Sequence, residues 1–499
     1  MSYTVIDTAT GPVRGRLETH AAVFLDIPYA APPQGAARFA HPQPHARWES
    51  PRDVTGYGPT APQPRRDAFG SLDMSPYFGP GWVRGAEYLT VNIWAPTAAS
   101  GRPVMVFVHG GGFVSGSNRS ALYDGSAFAR DGVVLVAVNY RLGVPGFLHL
   151  PDAPDNRGLL DVLAALRWVR DNIAAFGGDP DNVTLFGQSA GATLVGAVLA
   201  DPESDGLLRR AIIQSGNGTG AFTQAQAGIV TAALGENLGL TPSAAALADV
   251  SDDTLVQAMP ALAGLELAVH GAVDPLAGLS AFSVVADRQP AAAIAAGRAQ
   301  RIDLLLGTNT EEGNLYLAPV GKLSGTTEDD IRALAAQVHP RPEALLAAYR
   351  ARYDQYSLGR LRATILSDAL FGVGTRRLAD AHTGRTHAYR FTWQSQALGG
   401  QLGAAHTMEV PFVFETTDLP ALHGPQALLG TEAAPAELAS RMHATWIRFA
   451  TNGDPGWPEY STTDPATMLI GDSWELVSDV PLSWPDPRDD HRRPVRPTV

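Results

Sequence analysis

The chain has 499 residues, of which 45% are hydrophobic and 17% charged, and its formal net charge at pH 7 is −13. This composition is typical of a soluble globular protein, and the acidic balance argues against nucleic-acid binding, which needs basic surfaces to neutralise phosphates. The chain contains no cysteine, which excludes disulfides and thiol catalysis. It shows neither a signal-peptide pattern nor an apolar run long enough to span a membrane, so we expect a cytoplasmic protein without membrane contact, with secretion as an open alternative.

Short antiparallel strands joined by glycine turns are predicted over residues 3–30. Residues 60–85 are rich in Pro, Gly and Arg and lack periodicity, which predicts a long, exposed and mobile loop. Alternating strands and helices are predicted from about residue 88. Apolar runs and helical spacing place the strands at 104–108, 133–138, 183–186, 211–214, 303–306 and 387–392, and a helix at 157–175.

This alternation predicts an α/β fold, with a central, mostly parallel sheet covered by helices and a small N-terminal antiparallel sheet. The length alone suggests about three domains. No linker divides the chain, so we expect a single domain over residues 1–499, with a poorly ordered tail at about 486–499.

The pentapeptide GQSAG at residues 187–191 fits the G-x-S-x-G pattern of a nucleophile elbow. An apolar run precedes it and a helical pattern follows it, as a turn between a strand and a helix requires. Ser189 is therefore a candidate nucleophile. The alternative is a tight turn without chemistry, because glycine and serine are common in this chain.

A glycine run, HGGGF at residues 109–113, follows the predicted strand 104–108. Amides unshielded by side chains are suited to binding an oxyanion, and Gly111, Gly112 and Ala190 are the candidate donors. A flexible turn or a phosphate-binding loop is the alternative, but Ser115 stands where G-x-G-x-x-G requires its third glycine. His109 is expected to brace this loop rather than to act as a base.

Several segments resemble those of type-B carboxylesterases, the family that includes the bacterial para-nitrobenzyl esterases and the cholinesterases. Besides the glycine run and the elbow, they are FLDIPYA at 24–30, LTVNIW at 89–94, NYRLG at 139–143 and GDP at 178–180. The resemblance covers nearly the whole chain. It implies an α/β-hydrolase fold with long insertions around a gorge, where residues 60–85 would lie, and a serine carboxylesterase that needs neither metal nor organic cofactor.

The resemblance also supplies two residues that composition cannot choose. The segment GTNTEEG at 307–313 resembles the part of the family that carries the catalytic acid, which points to Glu312 rather than Glu311. The segment GAAHTMEVPF at 403–412 resembles the histidine loop, which points to His406. The order Ser189, Glu312, His406 is the one expected for an α/β-hydrolase.

Three further matches imply supporting roles. Ser215 matches a serine that hydrogen-bonds near the acid, and Arg141 and Asp161 match a structural ion pair. Gln188 stands where many relatives have glutamate, and a neutral amide attracts cations less, so we expect neutral small or aromatic esters as substrates. Trp82 is the only tryptophan in 60–85 that could meet a quaternary ammonium group.

The substrate pocket is weakly specified by the sequence. Five apolar or aromatic residues are candidates for its lining, although each could equally belong to the core: Phe113, Phe282, Leu315, Tyr316 and Phe371. A small-molecule ester is the expected partner, and a monomer is favoured. An amide or carbamate hydrolase with the same triad is the main alternative function, and a non-catalytic binding module of the same fold is the remote one.

Overall fold

The computed structural model describes residues 2–97, 100–269, 272–478 and 482–485, so the tail predicted at about 486–499 lies outside the described residues. The strands are β1 (Ser2–Thr8), β2 (Gly11–Leu17), β3 (Ala21–Pro28), β4 (Arg52–Asp53), β5 (Ala68–Phe69), β6 (Leu72–Asp73), β7 (Thr90–Pro96), β8 (Arg102–Val108), β9 (Val134–Val138), β10 (Gly178–Gln188), β11 (Arg210–Gln214), β12 (Asp303–Asn309), β13 (Thr386–Phe391), β14 (Thr467–Ile470) and β15 (Trp474–Val477).

The α-helices are α1 (Ser75–Phe78), α2 (Ser126–Arg130), α3 (Gly143–Phe147), α4 (Arg157–Asn172), α5 (Ala190–Ala200), α6 (Gln224–Leu238), α7 (Ala244–Ala248), α8 (Asp252–Ala258), α9 (Pro290–Ala295), α10 (Asn314–Leu317), α11 (Glu328–Val338), α12 (Pro342–Arg352), α13 (Leu358–Ser367), α14 (Val373–Ala381), α15 (Val410–Val413) and α16 (Ala436–Asn452). Short 3₁₀ turns lie at Gly35–Phe39, Ala121–Tyr123, Ile173–Phe176, Pro202–Ser204, Met259–Leu262 and Pro420–Leu422. A π-helical turn, Asp368–Gly372, joins α13 to α14. Among the described helices, none combines the length and the apolar character needed to cross a membrane.

A 13-stranded sheet runs through the molecule in the order β1-β2-β3-β7-β9-β8-β10-β11-β12-β13-β14-β15, with β4 paired to β2. The pairings from β9 to β14 along this order are parallel. The N-terminal strands β1, β2 and β3 pair antiparallel and join the centre through β7. The fold class predicted from the sequence is confirmed, and the antiparallel N-terminal part extends the same sheet.

The central strands are buried on both faces, as their uninterrupted apolar runs predict. In β8, Val104, Val106 and Val108 belong to the core on one face, and Met105 and Phe107 to the core on the other. Helix α4 covers the first face and α16 covers the second, through one apolar stripe on each helix. The helices α11, α12 and α13 build a third, separate apolar cluster.

Residues 60–85 are more ordered than an exposed loop. They contain the β5–β6 hairpin and α1, and the side chains of Leu72, Met74, Tyr77 and Phe78 are buried. The prediction of an exposed loop is therefore wrong for much of this segment. Its elements are only two to four residues long, too short to show a periodic pattern, yet its aromatic side chains pack against the rest of the molecule. The predicted mobility stays a prediction.

The register of the parallel strands aligns their carboxyl ends. Gln188 at the end of β10 is paired with Gln214 of β11, Gln214 with Gly307 of β12, and Gly307 with Tyr389 of β13. The segments that follow β10, β12 and β13 therefore leave the sheet at one edge, where ligand sites of α/β folds are found.

Candidate active site

A sharp turn between β10 and α5 presents Ser189. Its backbone has φ 58° and ψ −125°, a conformation that costs a non-glycine residue about 1–3 kcal/mol. A Cβ on Gly191 would lie 2.0 Å from the carbonyl oxygen of Val108, and one on Gly187 would lie 2.7 Å from the Gly191 carbonyl. The two glycines of the pentapeptide are thus required by close backbone packing.

Three side chains predicted from separate parts of the chain form one hydrogen-bonded series. The Ser189 hydroxyl lies 2.7 Å from Nε2 of His406, and Nδ1 of His406 lies 2.6 Å from Oε2 of Glu312. The side chains of His406 and Glu312 are almost fully buried, with 2% and 1% exposed. An imidazole that donates from Nδ1 to the carboxylate keeps Nε2 free to accept the serine proton.

Both oxygens of the Glu312 carboxylate accept hydrogen bonds. Its Oε1 accepts from the Ser215 hydroxyl at 2.5 Å and from the Asn309 amide at 2.7 Å, while Oε2 accepts from His406. A buried carboxylate is tolerated only with such partners. Ser215 thus donates directly to the Glu312 carboxylate, and its supporting role stays a prediction.

Glu311 has a different partner from its neighbour. Its carboxylate accepts from the amide of Ala404 at 3.0 Å, and its own amide donates to the Ala404 carbonyl. Asn309 donates from its side chain to the Ala405 carbonyl at 2.7 Å, and Asn314 to the Leu402 carbonyl at 3.2 Å. The segment around the acid thus holds the loop that carries the histidine.

A second buried carboxylate, Glu409, lies beside this series. Burial raises the pKa of Glu409 to about 7, and the negative charge of Glu312 contributes in the same direction. Side-chain amides of Asn309 and Gln214 donate to it at 2.7 and 3.2 Å. The sequence analysis did not single out this residue, although it lies within the recognised histidine segment.

Gly111, Gly112 and Ala190 line the same cleft as Ser189. Gly111 and Gly112 have φ values of 123° and 63°, and a Cβ on Gly111 would lie 1.8 Å from the carbonyl oxygen of Ser115. Ala190 is the first residue of α5, where amides have no intrahelical acceptor. Within the described part of the chain, none of these three amides is recorded as donating to an acceptor.

His109 supports the glycine loop and is not placed to act as a general acid or base. Its ring stacks on Tyr140 with centroids 4.5 Å apart, its Nδ1 lies 2.8 Å from the Gly110 carbonyl, and Tyr140 donates to the His109 carbonyl. Burial lowers the pKa of His109 to about 4, so the imidazole is neutral near pH 7. The brace expected from the sequence fits these contacts.

The ion pair predicted between Arg141 and Asp161 is present. The two side chains are fully buried and share two hydrogen bonds, of 2.8 and 2.7 Å. Arg141 also donates to the carbonyls of Arg38 and Ala40. The pair therefore ties α4 to the N-terminal segment and takes no part in the cleft.

A cleft opens over Ser189 and His406. Of the five predicted lining residues, it includes Phe113, Leu315, Tyr316 and Phe371. Phe282 is corrected: it does not line the cleft, is 2% exposed and packs in the main core. A β-bridge between Val285 and Phe222 ties this stretch to the segment before α6. The lining residues that the sequence analysis missed include Arg66, Phe69, Met74, Tyr77 and Phe78.

Phe371 packs directly against His406. Its ring stacks on the imidazole of His406 with centroids 4.2 Å apart and an interplanar angle of 12°. Phe371 lies in the π-helical turn between α13 and α14. Such turns often occur at functional sites, but no local sequence pattern announces them.

Gln188, directly before Ser189, is held by Tyr77. The Tyr77 hydroxyl donates to Oε1 of Gln188, and Nε2 of Gln188 then faces Nε2 of His406 at 3.4 Å. The side chain therefore brings no negative charge to the cleft. Trp82 does not line the cleft, and the guanidinium of Arg84 covers its ring at 4.1 Å, so the suggested quaternary ammonium face is corrected as well.

One group of side chains has the spacing of a metal site, but it lies outside the cleft. Ligand atoms of Asp131, Glu415 and His443 lie within 4.8 Å of one another. Arg130 pairs with both carboxylates, at 2.6 and 2.5 Å, and already supplies the positive charge there. The described residues of the cleft form no comparable group.

Comparisons with known proteins agree with this geometry. A family model described as the carboxylesterase family matches residues 2–479. The para-nitrobenzyl esterase of Bacillus subtilis (strain 168) is 34% identical, over 96% of this chain and 97% of its own, and the phenmedipham hydrolase of Pseudarthrobacter oxydans is 34% identical, over 95% and 96%. The solved structure of a thermophilic PNB esterase aligns with a TM-score of 0.82 at 32% identity, covering 96% of this chain and 98% of that one. The chain therefore belongs to the carboxylesterase family and is a serine carboxylic ester hydrolase with the α/β-hydrolase fold.

Proposed function

We propose that Ser189, His406 and Glu312 are the catalytic triad of this esterase, and that the amides of Gly111, Gly112 and Ala190 form its oxyanion hole. The observation that carries the proposal is the hydrogen-bonded series from Ser189 to Glu312 beside three amides that donate to no acceptor in the described part of the chain. Small-molecule esters are the substrates expected of the family.

In the acylation step, His406 accepts the proton of Ser189 at Nε2 while the serine oxygen attacks the ester carbonyl. The carbonyl oxygen becomes an oxyanion, which the three amides bind, and Glu312 stabilises the imidazolium. His406 then gives its proton to the leaving alcohol. An acyl-enzyme on Ser189 remains.

In the deacylation step, His406 accepts a proton from water, and the hydroxide attacks the acyl-enzyme. The same amides bind the second oxyanion. Collapse of this intermediate returns the proton to Ser189 and releases the carboxylic acid. No step requires a group beyond the described side chains, backbone amides and water.

The cleft favours esters with small or aromatic groups that carry no positive charge. Its walls are mainly aromatic and aliphatic, with Phe69, Phe78, Phe113 and Phe371 among them. Gln188 is neutral and its oxygen accepts from Tyr77, so this position offers no carboxylate to a cationic substrate.

The decisive test is covalent labelling combined with a Ser189→Ala variant. An organophosphonate ester should modify the wild type once, at Ser189, as mapped by peptide mass spectrometry. The variant should lose ester turnover by about 10⁴-fold or more, with its fold retained. Ser283→Ala is the control, because the buried Ser283 hydroxyl donates to the Gly220 carbonyl and the residue does not line the cleft. Labelling at another residue, or full turnover by Ser189→Ala, would refute the assignment.

Carbamate hydrolysis is a second candidate activity. It is supported by the similarity to a relative that is a carbamate hydrolase, the phenmedipham hydrolase. A carbamate would react at the same triad, with His406 protonating the leaving group. Matched aryl esters, aryl carbamates and anilides assayed side by side would show which leaving group the enzyme handles.

The monomeric state and the cytoplasmic location expected from the sequence stay predictions. Light scattering on the purified protein and fractionation of the native cells would test them.

A further inference from the structure

A positively charged side chain lies in the wall of the catalytic cleft. Arg66 belongs to the segment before β5 and contributes to the lining of the cleft. Its guanidinium lies over the ring of Phe69 at 4.5 Å and over that of Phe78 at 5.4 Å. The cation is therefore enclosed by aromatic rings on its protein side and faces the cleft.

Arg66 has no anionic partner among the described residues. No carboxylate lies within 4.0 Å of its guanidinium, and its one hydrogen bond is a long one, 3.4 Å, to the Gly111 carbonyl. That oxygen already accepts from the amides of Val114 and Ser115. Burial lowers the pKa of Arg66, yet an arginine keeps its charge near pH 7. An enclosed, unpaired cation is costly for a fold, and a bound anion offsets that cost.

The position of Arg66 connects it to the reacting groups. A Cβ built on Gly112 would lie 3.5 Å from Nη1 of Arg66, so the guanidinium borders the proposed oxyanion hole. On its other side, the Phe69 ring lies 6.1 Å from that of Tyr316, which lies 5.9 Å from the imidazole of His406. An anion held by Arg66 would thus lie beside the scissile bond without occupying its place.

Tyr316 supplies a second donor on the same wall. Its side chain lines the cleft, and its hydroxyl has no hydrogen-bond partner within the described part of the chain. Burial raises the pKa of Tyr316, so the phenol stays protonated and can donate. Guanidinium and phenol groups together are suited to a carboxylate, which accepts several hydrogen bonds.

We propose that Arg66, assisted by Tyr316, forms a subsite for a carboxylate carried by the ester substrate. The preferred substrates are then esters with a free carboxylate a few bonds from the scissile carbonyl, such as half-esters of short dicarboxylic acids. Uncharged esters remain substrates, and cationic esters are disfavoured by the same charge. This inference rests on the proposed triad and narrows the substrate class of that site.

The test compares matched anionic and neutral esters in the wild type and in Arg66→Gln. Monomethyl adipate and dimethyl adipate share one acyl chain and differ in the free carboxylate. A second pair, 4-acetoxybutanoate and its methyl ester, places the carboxylate on the alcohol side. The measured quantity is the ratio of kcat/KM for the anionic ester to kcat/KM for the neutral one.

For at least one pair, we expect Arg66→Gln to lower this ratio by about tenfold or more, as the loss of a charge-assisted hydrogen bond predicts. The pair that responds identifies the acyl or the alcohol side. Adipate should inhibit the wild type competitively and inhibit Arg66→Gln at least about tenfold more weakly. Arg65→Gln is the matched control: Arg65 is the neighbouring residue, its side chain is 88% exposed and it pairs with Asp67, so its ratio should not change.

Two results would overturn the proposal. One is an unchanged ratio for both pairs in Arg66→Gln. The other is an equal fall for anionic and neutral esters, which would mean that the guanidinium acts on the oxyanion rather than on a substrate carboxylate. Failure of the proposed triad is distinguishable, because Ser189→Ala would then still hydrolyse the members of these pairs.

Discussion

Removal of the Ser215 hydroxyl probes how the carboxylate of Glu312, the proposed catalytic acid, is held. In Ser215→Ala, Oε1 of Glu312 would lose its 2.5 Å hydrogen bond but keep the amide of Asn309 at 2.7 Å, and Oε2 would keep His406. A hydrogen bond to a charged group contributes about 1.5–3 kcal/mol, so the free energy of unfolding should fall by about 2 kcal/mol. The remaining two partners should keep the carboxylate in place, although less rigidly.

The catalytic cost should be smaller than the loss of a triad member. A carboxylate with more freedom orients the imidazole less well, so we expect kcat to fall by about tenfold with KM little changed, against the far larger loss predicted for Ser189→Ala. Steady-state kinetics on an aryl ester and urea unfolding followed by tryptophan fluorescence measure the two effects.

Ser283→Ala separates this role from that of any buried serine. Ser283 donates to a neutral carbonyl, that of Gly220, at 2.7 Å, so its removal should cost only about 1 kcal/mol and leave kcat unchanged. The reasoning would be refuted if Ser215→Ala were as active and as stable as the wild type. Equal losses of kcat in Ser215→Ala and Ser283→Ala would refute it as well.

Three further variants test other parts of the description. Burial raises the pKa of Asp368 from 3.8 to about 6, so the stability from this group is fully present below about pH 4 and is lost as pH rises through about 6. The free energy of unfolding of Asp368→Asn should therefore gain about 1–2 kcal/mol on the wild type between about pH 5 and pH 8. A difference between the two proteins that stays constant over this range would contradict the shift. Gly191→Ala would place a Cβ 2.0 Å from a β8 carbonyl oxygen, so we expect little soluble enzyme or an inactive one, and normal kcat in that variant would mean that the elbow is looser than described. Gln188→Glu should raise kcat/KM for a choline ester relative to its uncharged 3,3-dimethylbutyl analogue by about three- to tenfold, because a carboxylate would then face the cleft. An unchanged ratio would show that this position does not set the preference for charged substrates.

The features that could be predicted from the sequence are those with local signals. The central strands are continuous apolar runs, and the elbow needs small residues within two positions of Ser189. The choice of Glu312 over Glu311 came from the family resemblance, since two adjacent glutamates are chemically alike. In the structure the two carboxylates point in different directions. Glu312 accepts hydrogen bonds from Ser215 and His406, and Glu311 accepts one from the Ala404 amide.

The walls of the cleft depend on contacts between distant segments, and these leave no local pattern. Phe282 and Phe371 are both isolated aromatic residues in the sequence. In the structure Phe282 packs into the core, whereas Phe371 lies in a π-helical turn and stacks on the ring of His406. Arg66 likewise stands in a polar stretch with no sequence pattern that marks it. Its position between the rings of Phe69 and Phe78 is visible only in the folded structure.

The hydrogen bonds between the residues around Glu312 and residues 402–406 have a consequence for engineering this scaffold. Five of them, from Asn309, Ala404, Glu311, Asn314 and His406, join two stretches nearly a hundred positions apart. The two stretches therefore depend on each other for these hydrogen bonds. If only one of them were exchanged with a homologous enzyme, amides and carbonyls of the other would lose their matching partners. Chimeras that transplant both together should remain active, whereas crossovers placed between them should yield folded but poorly active hybrids.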